Sequence, residues 1–200
     1  MTHGVAEIAR CLTEGGVVLL PTDTVLGLAV SPARSDAVDR LYALKMRPRD
    51  KNLPVMVADA GQIAALGAEI PPAADALLAS RFVPGALTLV FGLDQTRAPG
   101  WLAGRAEIAV RIPDDARLLA VLRETGPLLV TSANRSGAET PATTVEAAAQ
   151  LAGAPDMTVP GSGSAAAPST IVNCRLSPVK IERHGAIPAA EIAALTGAVQ

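Results

Sequence analysis

Apolar positions recur along this chain in two rhythms, one helical and one extended. Val5, Ile8 and Leu12 sit at helical spacing within residues 4–14, and Gly15-Gly16 stops that helix. Residues 17–20 are an unbroken apolar run, which reads as a buried strand. Pro21-Thr22-Asp23-Thr24 interrupts the run, and residues 25–30 resume it as a second strand. Ser35 is placed to cap a helix over 36–45, with Val38, Leu41 and Tyr42 as its apolar stripe. Lys45 lies on that same inward stripe, at the helix end.

The same patterns predict strands over 54–57, 86–91, 107–112, 128–131, 169–173 and 179–183. They predict helices over 59–66, over 71–80, and from Asp114 or Asp115 to Glu124. Two more follow the capping box Thr143-Thr144-Val145-Glu146 and Pro188. Residues 94–106 read as a loop anchored by Trp101, and residues 160–168 as a small, flexible stretch. Helices and strands are interspersed without a strict repeat. The expected fold is α/β, one twisted mixed sheet with flanking helices in a single domain over 1–200.

Composition narrows the classes. Half the residues are hydrophobic and only 2% are aromatic, so Ala, Val, Leu and Ile must build the core. No apolar run reaches the roughly 18 residues of a membrane span. The N-terminal residues lack the pattern of a signal peptide, so a cytoplasmic protein without membrane contact is expected. Cys11 and Cys174 suggest neither a disulfide framework nor a zinc site, and His3 and His184 add no usual metal spacing. A net charge of -2 argues against a general nucleic-acid coat but leaves room for a local basic groove.

Candidate chemistry concentrates in a few places. Lys45, Arg47, Arg49 and Lys51 fall at alternate positions, and Pro48 and Pro54 favour extended chain before them. If extended, this row points four cations to one side, which suits a polyphosphate or a nucleic-acid backbone. Thr22, Asp23 and Thr24 present polar groups between two buried strands, a common place for ligands in α/β sheets. Arg111 is embedded in an apolar strand and, if buried, needs an anion, either a structural carboxylate or a substrate. The strand at 128–131 runs into Ser132-Ala133-Asn134, which can offer hydroxyl, amide and backbone N–H groups to an anion.

These segments, taken in order, resemble the YrdC-like, or TsaC-type, L-threonylcarbamoyladenylate synthases. The resemblance rests on Pro21 to Leu28, Lys45 to Lys51, Pro84 to Val90, Ala109 to Arg111, Thr131 to Asn134, Pro168 to Val172 and Arg183 to Gly185. It implies a YrdC-like sheet with a basic concave cleft. It also implies synthesis of L-threonylcarbamoyladenylate from L-threonine, bicarbonate and ATP, with release of pyrophosphate. That product would feed a separate tRNA threonylcarbamoyltransferase complex. Mg2+ is expected with ATP, with Asp23 and Asp50 as undecided contributors, and direct tRNA contact through the cleft stays open.

Carried over by motif, the resemblance makes Lys45 and Arg47 catalytic cations at the phosphates. It assigns Arg47, Lys51, Glu107, Ser132, Asn134, Thr140 and Arg183 to ATP. It assigns Thr22, Thr24, Arg111, Ser169 and the backbone near Val130 to threonine, with Arg111 pairing the substrate carboxylate. Leu26 stands where many members have an aromatic, Met56 where longer members often place a threonine-contacting His, and His184 where a Pro is frequent. The approach to Ser169 is Ala165-Ala166-Ala167. Two other readings stand beside this one: an RNA-binding module using the cationic row, and a paralogue with altered carbamoyl-transfer chemistry.

Overall fold

A computed structural model describes residues 3–163 and 167–199. Part of the small-residue stretch at 160–168 and of the approach to Ser169 therefore lies outside the described residues.

The elements run α1 (Val5–Thr13), β1 (Val18–Leu20), β2 (Gly27–Val30), α2 (Ser35–Lys45), β3 (Val55–Met56), α3 (Ala60–Ala65), β4 (Ala68–Glu69) and α4 (Pro72–Leu78). They continue through β5 (Leu87–Leu93), a 3-10 turn (Gly100–Leu102), β6 (Glu107–Arg111), α5 (Ala116–Thr125) and β7 (Leu128–Ser132). The last are α6 (Thr144–Gln150), β8 (Met157–Thr158), β9 (Thr170–Asn173), β10 (Lys180–Arg183) and α7 (Ala189–Thr196). Every predicted helix and strand has a counterpart, and three caps are chemically explicit. Asp59 accepts from Gln62 N and Asp115 from Leu118 N, while Thr143 and Glu146 form the reciprocal capping box.

Three details differ from expectation. Helix α2 includes Ser35, with Arg34 in the cap position and no side-chain cap. Strands β4 and β8 have two residues each, too few for periodicity to announce them. The cationic row is not extended. Met46 ends α2 in the left-handed region at φ 49, and Lys51 N closes a turn on Pro48 O at 3.2 Å.

The ten strands form one mixed sheet in the order β10-β9-β5-β6-β3-β7-β2-β1-β8, with β4 pairing on β5. The β3/β6, β5/β9 and β1/β8 pairs are parallel, and the others antiparallel. Period-two alternation splits each strand between two faces. Leu87, Leu89 and Phe91 of β5, Val110 of β6 and Val172 of β9 join the larger core with residues of α2, α3, α4 and α7. Thr88 and Val90 of β5, Ala109 and Arg111 of β6, and Ile171 of β9 face a cleft on the other side.

Helices α1 and α5 cover only part of that second face. Ile8, Leu12, Leu118, Val121 and Leu122 pack there on Val18, Ala29, Leu128 and Val130. Each such side chain contributes about 1.5–3 kcal/mol. Met56 and Val130 belong to this smaller core and also line the cleft, marking where the covered part of the face gives way to the open part. Among the described residues no helix is long and apolar enough to cross a membrane.

Candidate functional site

The open part of the face is a cleft of about 470 Å³, within the usual range for small-ligand pockets. One end is a network of hydroxyls around a buried guanidinium. The chain turns at Pro21 to Leu26 because Thr22 bonds locally. Its Oγ1 donates to Val25 O at 2.7 Å and accepts from Thr24 N at 3.1 Å.

Arg111 is only 5% exposed. It donates from Nε to Gly85 O at 2.8 Å and from Nη1 to Thr24 Oγ1 at 2.7 Å. Its Nη2 lies 2.7 Å from Asp23 Oδ2, in ion-pair contact without hydrogen-bond alignment, and Asp23 Oδ1 has no hydrogen-bond partner. Of the two anions open to Arg111, the structural carboxylate is therefore present. Burial pushes the Arg111 pKa down, and Asp23 opposes that shift.

Beside it, Ser169 Oγ pairs with Thr88 Oγ1 at 2.7 Å. Arg183 donates from Nε and Nη2 to Ser169 O at 3.1 and 2.8 Å, and from Nη2 to Ser169 Oγ at 2.9 Å. The Arg183 pKa is lowered by burial first and by neighbouring Arg111 second. Gly185 makes this approach feasible, since a Cβ there would stand 2.4 Å from Pro168 O. Thr88 is a cleft residue that the sequence analysis did not single out.

The Ser132-Ala133-Asn134 loop is held largely by backbone. Ala133 N donates to Leu26 O at 2.8 Å, and Ser136 N to Lys45 O at 2.9 Å. Ser132 Oγ donates to Asn134 Oδ1 at 2.5 Å, and Asn134 Nδ2 to Ala138 O at 2.6 Å. Lys45 Nζ donates to Ser132 O, and to Asn134 O at 2.6 Å. Lys45 is 1% exposed, and burial, helped by Arg47, lowers its pKa to about 8. The helical stripe thus aims this ammonium inward as predicted, but at two carbonyls under the loop.

The bend after Met46 scatters the cationic row. Arg47 lines the cleft while its Nε and Nη2 donate to Lys51 O and Asn52 O at 3.1 and 3.0 Å. Arg49 turns away to Asp39 at 2.6 Å and lies over the Tyr42 ring. Lys45 and Lys51 are not among the cleft-lining residues. The expectation of four aligned cations is corrected accordingly: one of the four reaches the cleft.

Of the other expected site residues, Thr22, Thr24, Glu107, Arg111, Val130, Ser132, Asn134, Thr140, Ser169 and Arg183 all line this one cleft. Leu26, Met56 and Asp50 line it too, whereas His184 does not. Glu107 is paired with Arg175. Arg105, not anticipated, also lines the cleft. Four arginines therefore face three carboxylates, Asp50, Glu107 and Glu182, so the lining is mixed in charge with a small cationic excess. No group of three or more His, Cys, Asp or Glu among the described residues could hold a metal ion.

Comparison with known proteins places this geometry. The family model described as "Telomere recombination", Sua5/YciO/YrdC, matches residues 10–185. A Bacillus subtilis protein named threonylcarbamoyl-AMP synthase is 35% identical over 198 residues, covering 98% of this chain and 57% of its own length. A Pseudomonas aeruginosa protein of the same name is 40% identical over 130 residues, covering 64% of this chain and 69% of its own. The crystal structure of Pyrococcus abyssi Sua5 complexed with L-threonine aligns with a TM-score of 0.87 and 30% identity, over 98% of this chain and 58% of that one. The chain thus spans little more than half the length of the Bacillus and Pyrococcus relatives. The sheet order, the cleft and these matches together identify the chain as a member of the Sua5/YciO/YrdC family.

Proposed function

We propose that this cleft makes L-threonylcarbamoyladenylate from L-threonine, bicarbonate and ATP, releasing pyrophosphate and water, for threonylcarbamoyl modification of tRNA. The observation that carries this reading is the joining of two kinds of site in one cleft of about 470 Å³: a hydroxyl-and-guanidinium pocket and a pinned Ser-Ala-Asn loop beside arginines. The Pyrococcus abyssi relative's complex with L-threonine supports it.

In this reading Thr22, Thr24, Arg111, Ser169 and the backbone near Val130 receive threonine. Arg111 keeps Asp23 as its partner, so it orders the pocket as well as facing the substrate carboxylate with its remaining N–H groups. Ser132, Asn134, Thr140, Glu107 and Arg183 receive the nucleotide, and Arg47 meets its phosphates. Lys45 is a positioning residue, acting through the carbonyls of Ser132 and Asn134. Lys51 serves the loop geometry, since its carbonyl accepts from Arg47 and from Tyr42 Oη at 3.0 Å.

The threonine amine adds to the carbon of bicarbonate, whose C–O bond breaks to release water, or to carbon dioxide formed from it, with loss of an amine proton, giving a carbamate. A carbamate oxygen then attacks the α-phosphorus. The bond to the bridging oxygen breaks, and pyrophosphate leaves with the electron pair. Charge accumulates on phosphate oxygens, so fixed guanidinium and N–H groups stabilise this step directly. Holding the short-lived carbamate beside ATP is a matter of proximity, worth at best on the order of 7–11 kcal/mol. Among the described residues no group of three or more His, Cys, Asp or Glu is placed to hold a magnesium ion. We therefore take the nucleotide substrate to be MgATP, with triphosphate oxygens and water completing the ion's shell. The product passes to a separate tRNA threonylcarbamoyltransferase complex.

Incubation with radiolabelled ATP and magnesium, with and without threonine and bicarbonate, tests the assignment. An adenylate adduct and pyrophosphate that require both additions are expected. ATP binding without that product favours the paralogue. Salt-sensitive RNA binding without ATP binding favours the RNA module, which the scattering of the cationic row weakens.

A further inference from the structure

Three of the four cleft arginines already have protein acceptors. Arg47 donates to two carbonyls, Arg111 is held by Gly85, Thr24 and Asp23, and Arg183 is clamped on Ser169. Arg105 is different. It lines the cleft and is half-buried, yet its guanidinium contacts no carboxylate, carbonyl or ring among the described residues. Only its backbone is engaged, N to Leu102 O at 3.1 Å and O to Gln95 Nε2 at 2.7 Å. The Arg105 backbone is thus fixed at the cleft wall while its five N–H donors meet no acceptor among the described residues.

Arg105 stands two residues before β6, outside the strand, and lines the same cleft as Glu107, Ala109 and Arg111 of that strand. In the reading above an amino-acid carboxylate is taken up at Arg111, beside Thr24 and Ser169. The anion that Arg105 awaits is then a second one. The planar fork of arginine suits phosphate oxygens in two-point contact.

We propose that Arg105 is a further substrate-binding residue of the cleft, contacting the polyphosphate of the nucleotide. This rests on the reading above that the cleft takes ATP. Neighbouring Glu107 supports the placement. Its carboxylate is paired with Arg175, which leaves Arg105 without that counter-charge.

The test compares Arg105→Ala and Arg105→Lys with the wild-type chain. Adduct formation is measured against MgATP and against threonine, with inorganic pyrophosphate as competing probe. Direct MgATP binding is followed by calorimetry. Expected for Arg105→Ala is a rise of about tenfold in KM for MgATP and a similar weakening of pyrophosphate inhibition. KM for threonine and the thermal unfolding midpoint should stay unchanged. Arg105→Lys should recover part of the loss. Unaltered MgATP and pyrophosphate behaviour in Arg105→Ala overturns the proposal, as does a loss confined to salt-sensitive RNA binding. If the wild-type chain forms no adduct, the synthase reading fails by itself, and calorimetry still decides Arg105: unchanged MgATP affinity in the variant overturns it, weakened affinity upholds it.

Discussion

Within the cleft Arg111 is buried and each guanidinium nitrogen faces a protein oxygen, while Arg105 is half-buried and meets no acceptor among the described residues. The difference follows from solvation. A charge taken out of water needs a partner in the fold, because its desolvation otherwise costs several kcal/mol. A charge left at the wet end can wait for a ligand. Pre-pairing makes a rigid, selective pocket, and open donors make a receptive one. Lys45 is a third case, a buried cation satisfied by carbonyls alone.

The largest expected effect breaks the buried end. Arg111→Ala leaves Asp23 without its cation and should lower stability by about 3–5 kcal/mol, read from urea unfolding. The double change with Asp23→Ala should recover part of that loss. If the single change is as stable as wild type, the pair carries no structural weight.

Next is Lys45→Met, which leaves two loop carbonyls without their donor. The loop should lose its geometry and kcat/KM for MgATP should fall by a factor equivalent to about 2–3 kcal/mol. The same variant isolates a pH effect. Burial, helped by Arg47, lowers the Lys45 pKa in the fold from the ordinary 10.5 to about 8. Below pH 8 both folded and unfolded chains carry the proton, and the fold bears the full desolvation cost. Between about pH 8 and 10.5 the unfolded chain holds more protons, so this group's contribution to stability rises with pH. The unfolding midpoint of wild type minus that of Lys45→Met should climb across that window and be flat below it.

Arg47→Ala tests the receptive end and should cost about 1.5–3 kcal/mol in kcat/KM for MgATP with little change in threonine KM. Adduct kinetics that do not change would remove Arg47 from the phosphates. The smallest effect is stabilising. Met46 holds φ 49 at the helix end with 64% exposure. Met46→Gly should raise stability by about 1 kcal/mol, because glycine adopts this conformation without a Cβ clash.

Much of the fold was legible in the residues. The apolar stripe of α2 pointed Lys45 inward, and unbroken apolar runs located β1 and β7. The strand at 107–112 was legible too, with Arg111 embedded in it. Arg105 lies in the stretch 94–106 that reads as a loop, and only the fold puts it on the cleft wall. The alignment of four cations failed because alternation fixes side-chain direction only in extended chain. A left-handed Met46 and a turn at Pro48 to Lys51 remove that condition.

By itself the sequence determined what depends on neighbours a few residues apart: helix stripes, strand runs, the helix starts at Asp59 and Thr143, and the family motifs, while it left Asp114 and Asp115 both open as the start of α5. Only the tertiary structure decided what depends on distant partners. It brought Asp23 to Arg111 across 88 positions and Ser169 to Thr88 across 81. It also put α1 and α5 over one part of a sheet face and left the rest open as the cleft. Local sterics and periodicity are written in adjacent residues. Pairing a buried charge, or leaving a face uncovered, is settled only when the whole sheet has closed its strand order.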